Sequence, residues 1–182
     1  MSDRIPAEIW IGGKVAASLV PDLCAAIVDE GVCLEWGGPR VDPTGPDDLI
    51  AAIKANHQGV RLLWFCDEEA SCGEFDVLES FLQAHDVPFT RRTDGRYEYD
   101  PVKVEFRPGR GQVDLAADRS GETVVPATPL IALEATLTKA LQLIRSGESK
   151  RATAALQAAR RKLCRVLPPS IPPLQPFEIV PV

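Results

Sequence analysis

Short apolar runs alternate with stretches of helical periodicity over the first half of the chain, and this pattern predicts three strand-plus-helix units. The predicted units are a strand at 8–13 with a helix at 18–30, a strand at 32–36 with a helix at 46–57, and a strand at 60–66 with a helix that ends near residue 85. The third strand is apolar without interruption, which is typical of a strand buried on both faces of a partly parallel sheet.

After residue 86 the pattern becomes typical of antiparallel strands. It predicts a strand at 87–92, a turn at 93–95, and a segment at 97–107 in which apolar and charged residues alternate around Pro101. Residues 112–128 are polar and are predicted to form a loop. The expected fold is therefore α/β, with a small mixed sheet built from three βα units and a β-hairpin.

The last third of the chain predicts two long helices and an extended tail. An apolar stripe at helical spacing marks a helix at 129–146, and a second helix at 148–167 ends where Pro168-Pro169 stops it. The short link between them predicts an antiparallel helical hairpin. We therefore divide the chain into a core domain at 1–128, a helical hairpin at 129–167 that packs on the core or extends from it, and a Pro-rich tail at 168–182. The end of that tail, 177–180, is expected to add to the edge of a sheet in its own core or in a partner.

The net charge of −6 is distributed unevenly, which changes the expected partners. Residues 1–144 carry −11, residues 145–165 carry +6, and residues 166–182 carry −1. A basic patch on a helix can neutralise nucleic-acid phosphates or meet an acidic protein surface, although the acidic body repels a polyanion. The residues expected to contact a partner or nucleic acid are Lys150, Arg151, Arg160, Arg161, Lys162 and Arg165.

Length and composition restrict the class of protein. A chain of 182 residues that is 45% hydrophobic can support its own core, and it contains no apolar run long enough to span a bilayer. The polar start is unlike a secretory signal, and five widely spaced cysteines fit reduced thiols, so we expect a cytoplasmic protein without membrane attachment. Two histidines provide few ligands for zinc, and no cofactor is expected.

Three groups of residues carry candidate chemistry. Asp67, Glu68 and Glu69 follow the third predicted strand, where carboxylates at the end of a strand could hold a divalent metal. Cys72 lies at a predicted helix start, a position that lowers a thiol pKa. A second basic group flanks the predicted hairpin beside aromatic residues, as in some sheets that hold single-stranded nucleic acid. Its members are Arg91, Arg92, Arg96, Arg107 and Arg110, with Tyr97, Tyr99 and Phe106.

These observations favour a non-catalytic interaction or assembly protein that works through the helical hairpin and the tail, because no acid, base and nucleophile grouping stands out. The expected partner is another protein or a second copy of the chain. Two alternatives stay open. One is a divalent-metal or phosphate-handling enzyme that uses the acidic run after the third strand. The other is a nucleic-acid-binding protein that uses the basic last helix.

Overall fold

The structure, a computed structural model, describes residues 3–96 and 99–181 and divides the chain into two compact units. The first unit contains the chain up to Thr123 together with the segment from Ile171 onward, and the second unit contains Val124–Ser170. The α/β class is confirmed. No helix among the described residues is long and apolar enough to cross a membrane.

The first unit contains eight strands, three α-helices and a short 3-10 helix (Ala17–Leu19) among its described residues. The strands are β1 (Arg4–Ile11), β2 (Lys14–Ala16), β3 (Ile53–Ala55), β4 (Arg61–Ser71), β5 (Phe89–Thr93), β6 (Val102–Arg107), β7 (Gly111–Ala116) and β8 (Glu178–Val180). The helices are α1 (Val20–Glu30), α2 (Pro46–Ala51) and α3 (Asp76–Ala84). Six of the strands form one sheet in the order β3-β4-β1-β5-β6-β7, and β2 and β8 form a separate pair.

Every pairing in the six-stranded sheet is antiparallel, so the expectation of a partly parallel sheet is wrong. The uninterrupted apolar run at 62–66 does not distinguish a parallel from an antiparallel strand. An antiparallel strand has the same composition when both of its faces are covered. Phe65 packs into the core with α1 and α3 on one face of β4, and Trp64 is covered by other tryptophans on the opposite face. Burial therefore determines the composition of this strand, whatever its direction.

The second predicted βα unit is also wrong. Cys33 forms only isolated bridges, to Arg40 and Cys66, where a strand was expected. The predicted helix at 46–57 ends at Ala51, and the chain continues into β3. After β3 a tight turn leads into β4, in which the Oδ1 of Asn56 accepts the backbone N–H groups of Gln58 and Val60 at 2.9 Å.

Part of the predicted loop at 112–128 is a strand instead. Its first residues belong to the edge strand β7. The hairpin from β6 turns through Gly109 and Gly111, both with positive φ, which other residues rarely adopt. An edge strand with one exposed face needs little apolar content, so its polar sequence resembles that of a loop.

The core lies between one face of the sheet and helices α1 and α3. Alternate residues of β1 are buried there, including Ile9 and Ile11, and they pack with Leu23 and Ile27 of α1. The side chain of Glu30, the last residue of α1, accepts the backbone N–H of Leu78 at 2.9 Å in the first turn of α3. This bond ties the two core helices together and satisfies an N–H that the helix itself leaves free.

The Pro-rich tail completes the first unit. β8 pairs in parallel with β2, and Phe177, at 5% exposure, is part of the core cluster. The backbone N–H of Phe177 donates to the carbonyl of Arg61 at 2.9 Å, and Gly13 donates to the carbonyl of Gln175 at 3.0 Å. Gly12 lies so close to the tail that a Cβ there would stand 2.3 Å from the Gln175 oxygen, so only glycine fits.

The second unit is a pair of packed helices, α4 (Ala127–Arg145) and α5 (Ser149–Val166). Each was predicted within two residues of its observed ends. Leu133 and Ala140 of α4 and Ala152 and Ala159 of α5 are buried. The three alanines among them allow the two helix backbones to approach closely.

The carboxyl of Glu30 makes stability depend on pH. Its burial raises its pKa above the ordinary value, although hydrogen bonds from the N–H groups of Leu78 and Val77 oppose the shift. The folded chain therefore takes up this proton before the unfolded chain does, and the resulting stability is lost as pH rises through the raised pKa. We expect the unfolding free energy of the wild type, relative to Glu30→Gln, to increase as pH falls from neutral to about 4.5. Urea unfolding of both proteins across this range measures the difference, and a constant or decreasing difference would contradict it.

Candidate functional site

The acidic run lies inside a strand rather than beyond one. β4 continues to Ser71, so Asp67, Glu68 and Glu69 belong to its second half, and Ala7 pairs with Asp67 beside an irregularity in the register. The Asp67 carboxylate accepts the backbone N–H of Glu69 at 2.9 Å. Within the described residues, no group of three or more His, Cys, Asp or Glu side chains is placed to hold a metal ion. A metal site at this run stays a prediction from sequence.

Cys72 does not lie at the start of a helix, which corrects its expected position. Cys72 and Gly73 form a turn with positive φ after β4, and α3 begins only at Asp76. Two other cysteines, Cys33 and Cys66, are paired through their backbones at 2.8 and 2.9 Å. Burial raises the pKa of the Cys66 thiol to about 12 and also raises that of Cys33. Both are therefore neutral thiols rather than nucleophilic thiolates at physiological pH.

The second basic group is divided between two faces of the sheet. Arg91 points into the helix side, where its Nε lies 2.6 Å from Oε1 of Glu79, and Phe106 is buried on the same side. Arg92 points to the opposite side because successive residues of a strand alternate. Tyr97 lies outside the described residues. The expected single surface of arginines and aromatics is therefore absent from the described part of the sheet.

The opposite side, which we call the open face, carries all three tryptophans of the chain. The rings of Trp10 and Trp36 lie 6.0 and 6.2 Å from Trp64, and the Lys54 ammonium lies 3.6 Å from the Trp64 ring centre. Trp64 Nε1 also donates to Glu8 at 2.8 Å. In the sequence the three tryptophans are 26 and 28 residues apart. This spacing fits the length of short βα units, so it does not by itself indicate that the rings meet in space.

One side of the helix pair is basic. A groove there is formed by alanines together with Lys139 of α4 and Arg151 and Lys162 of α5. Lys162 Nζ donates to Oγ1 of Thr136 at 3.1 Å across the two helices. All six basic residues expected from the sequence to contact a partner are exposed. They are Lys150, Arg151, Arg160, Arg161, Lys162 and Arg165.

The other side of the helix pair carries half-exposed apolar side chains. Leu130, Leu137 and Ile144 of α4 and Leu156 of α5 are between 40% and 53% exposed. Their spacing along the helices puts them away from the groove residues. We call this surface the apolar side, and it consists of Leu130, Leu137, Leu141, Ile144, Leu156 and Leu163.

Comparison with protein-family models, curated proteins and solved structures finds no match to this chain. The interpretation of its function therefore rests on the residues and their arrangement.

Proposed function

We propose that this chain is a non-catalytic assembly protein that associates with a second copy of itself through the apolar side of its helix pair. The observation that carries the proposal is a row of half-exposed leucine and isoleucine side chains on both helices. Contiguous apolar surface of this kind on a protein that folds in water marks a site of contact with another chain.

The spacing of the apolar residues supports a helical partner. In α4 the positions 130, 133, 137, 140 and 144 alternate steps of three and four residues, and in α5 the positions 152, 156, 159, 163 and 166 do the same. These are the spacings of a heptad seam. In both helices alternate members of the seam, such as Leu133 and Ala159, are buried, whereas the members between them, such as Leu137 and Leu156, are exposed.

A helix pair of this type contains half of the core of a four-helix bundle. A second copy that presents the same side would complete the seam, and a two-fold dimer brings identical surfaces together. The basic groove lies on the other side of each pair, so this contact does not bring the two groups of lysine and arginine face to face.

The energies are of the size that a reversible dimer needs. Covering the exposed half of one Leu or Ile side chain contributes about 1 kcal/mol, so ten such side chains in two copies contribute on the order of 10 kcal/mol. Association costs about 4–15 kcal/mol in lost freedom of motion. At the low end of that cost about 6 kcal/mol remains, so we expect dimers that form at tens of micromolar.

The tail has a smaller part in this proposal than its sequence indicates. Leu174 and Phe177 are buried in the first unit, and β8 pairs with β2 of the same chain. The proposed contact with a second copy therefore depends on the helix pair alone. A cytoplasmic location is proposed with it, supported by five cysteines that are all free thiols.

Nucleic-acid binding is the second candidate, and the exposed basic side supports it. The second unit carries eight Lys and Arg against two Glu, whereas the first unit carries 12 Lys and Arg against 24 Asp and Glu, a net charge of −12. A helix pair with a charge of +6 would attract phosphates, and the affinity would fall steeply with salt. The metal-dependent enzyme has no observation of this kind in its favour.

The dimer is tested by placing a charge on the apolar side. Leu137→Glu is expected to weaken the dimer at least 100-fold, because a carboxylate would be buried without a partner in the completed seam. Light scattering on the full chain over a range of concentrations measures the mass. Gln142→Glu is the matched control, because it introduces the same side chain at an exposed position of α4 outside the apolar side.

Circular dichroism of both variants checks that the helices remain. A wild-type chain that stays monomeric at about 1 mM, well above the expected dissociation constant, overturns the proposal. Equal dimer masses for the wild type and Leu137→Glu overturn it as well.

A further inference from the structure

A cleft on the open face of the sheet is separate from the helix pair and has a different chemistry. Its floor is formed by strands β1, β4, β5 and β6, one wall by the turn at 56–58, and the other wall by the tail at 171–174. Its volume is about 250 Å³. The cleft therefore brings together three segments that are far apart in the sequence, and it has the size of a small organic molecule.

The cleft is positively charged within a unit that is strongly acidic. Three cations line it, Arg92, Lys103 and Arg107, against the single carboxylate of Glu105. Glu105 is shared, because Lys103 Nζ lies 2.5 Å from one of its oxygens and Arg107 Nη2 lies 3.7 Å from the other. One carboxylate between two cations leaves an excess of positive charge before Arg92 is counted.

Arg92 adds to that excess. Its contact with the carboxylate of Glu8 is long, at 3.8 Å, and the side chain of Glu8 is engaged by Trp64 Nε1 at 2.8 Å. The Nε–H of Arg92 is buried beside Gly121 and has no hydrogen-bond partner among the described residues, whereas the side chain as a whole is 24% exposed. A guanidinium with only a distant counter-charge favours an anionic ligand with oxygens that can accept its exposed N–H groups.

The remaining lining suits a flat, polar molecule attached to that anion. The ring of Trp10 is partly exposed at the floor, and the wall opposite the turn carries Pro172 and Pro173. The amide groups of Asn56 and Gln58 can bind the polar edge of a ring, and Asn56 does so through its NH2 group because its Oδ1 already accepts two backbone N–H groups. Stacking on an aromatic side chain together with a few placed polar groups is how small-molecule sites recognise planar ligands.

We propose that this cleft binds a nucleoside monophosphate, with the base against Trp10 and the phosphate at Lys103 and Arg92. The ligand class follows from the combination of one flat ring, neutral hydrogen-bonding groups and two incompletely compensated cations in a space of this volume. Inorganic phosphate fits only the charge, and a nucleoside without phosphate fits only the ring and the amides.

The tail is a necessary part of the site. Arg107 fixes it, because its Nε donates to the carbonyl oxygen of Pro172 at 2.8 Å while its Nη1 donates to the carbonyl of Phe89 at 2.6 Å. Leu174 is buried against Gly12 on the floor side of the same wall. Ligand binding is therefore expected to hold the tail in place, and the docked tail is expected to hold the ligand.

Titration calorimetry of the full chain at low salt tests the proposal with three probes: adenosine monophosphate, adenosine and inorganic phosphate. Adenosine monophosphate is expected to bind at least tenfold more tightly than either of the other two. Lys103→Gln is expected to weaken its binding at least tenfold. The matched control is Lys14→Gln, the same change at an exposed lysine of β2 that does not line the cleft, and its affinity is expected to equal that of the wild type.

Fluorescence gives a second measurement that does not depend on charge. Bound adenosine monophosphate is expected to quench tryptophan emission in the wild type but not in Trp10→Phe, which retains the emission of Trp36 and Trp64. Thermal melting confirms that each variant is folded. The proposal is overturned if adenosine monophosphate does not bind, if phosphate binds equally well, or if Lys103→Gln binds it as the wild type does. These results test only the cleft. The dimer is tested separately by Leu137→Glu in the helix pair.

Discussion

Replacing Glu79 with alanine is expected to destabilise the first unit by about 3–5 kcal/mol, because it leaves the guanidinium of Arg91 charged and buried without its partner. Arg91 and Glu79 are 5% and 7% exposed, and their Nε and Oε1 atoms lie 2.6 Å apart. The same Glu79 oxygen accepts the backbone N–H of Phe75 at 3.1 Å at the start of α3. Burial raises the pKa of Glu79, and the charge of Arg91 opposes that shift.

Urea unfolding of the full chain measures this effect, and Glu74→Ala is its matched control. Glu74 also faces Arg91, but at 3.8 Å and with a side chain that is half exposed, so its loss should cost less than about 1 kcal/mol. Replacing both partners, as in Glu79→Leu with Arg91→Met, is expected to cost less than Glu79→Ala alone, because no charge is left buried. Equal effects of Glu79→Ala and Glu74→Ala would show that the buried pair is not what holds α3 to β5.

Truncating Phe177 to alanine is expected to cost about 3–5 kcal/mol, which is the usual effect of removing a large aromatic side chain from a packed core. Phe177 belongs to the main cluster of core residues although it lies only a few residues from the end of the chain. Its loss also weakens the attachment of β8 to β2, because the ring is the largest buried group of the tail.

The matched control is Gln175→Ala, two residues earlier in the same tail. The side chain of Gln175 is exposed, and its backbone carbonyl can still accept the N–H of Gly13 after the change. We expect an effect within about 0.5 kcal/mol for this surface substitution. Urea unfolding followed by tryptophan fluorescence compares the two variants. If Phe177→Ala unfolds at the same urea concentration as the wild type, the tail is not part of the core in solution.

Several mistakes in the sequence interpretation have one physical origin, which is that strand pairing is not local. Because its residues are polar, the sequence pattern places the acidic run at Asp67 beyond the end of a strand. Pairing with β1 nevertheless extends β4 through this run as far as Ser71. β7 is polar for a similar reason, since its position at the edge of the sheet leaves one face uncovered. In both cases the partner strand, rather than the composition of the segment, decided the structure.

The sequence is limited in the same way as a guide to the candidate sites, as two neighbouring residues of β5 show. Arg91 and Arg92 are adjacent in sequence and have the same chemistry, but one is buried against Glu79 and the other lines the cleft of the open face. Alternation along a strand predicts that they point in opposite directions. Which direction faces the helices depends on where α1 and α3 pack, and the sequence of β5 alone does not contain that information.

The sequence by itself determined the helices α4 and α5, because their apolar spacing, their glycine and proline ends and their basic residues all lie within the segments they describe. It also determined the class of the fold and the separation of charge between the two units. Only the tertiary structure decided the antiparallel order of the sheet, the gathering of three tryptophans on one face, and the docking of the tail that walls the cleft. The reason is that these features depend on contacts between residues far apart in the sequence, such as Arg4 with Ser71, Trp36 with Trp64 and Gly13 with Gln175, for which no periodicity within a segment carries a signal.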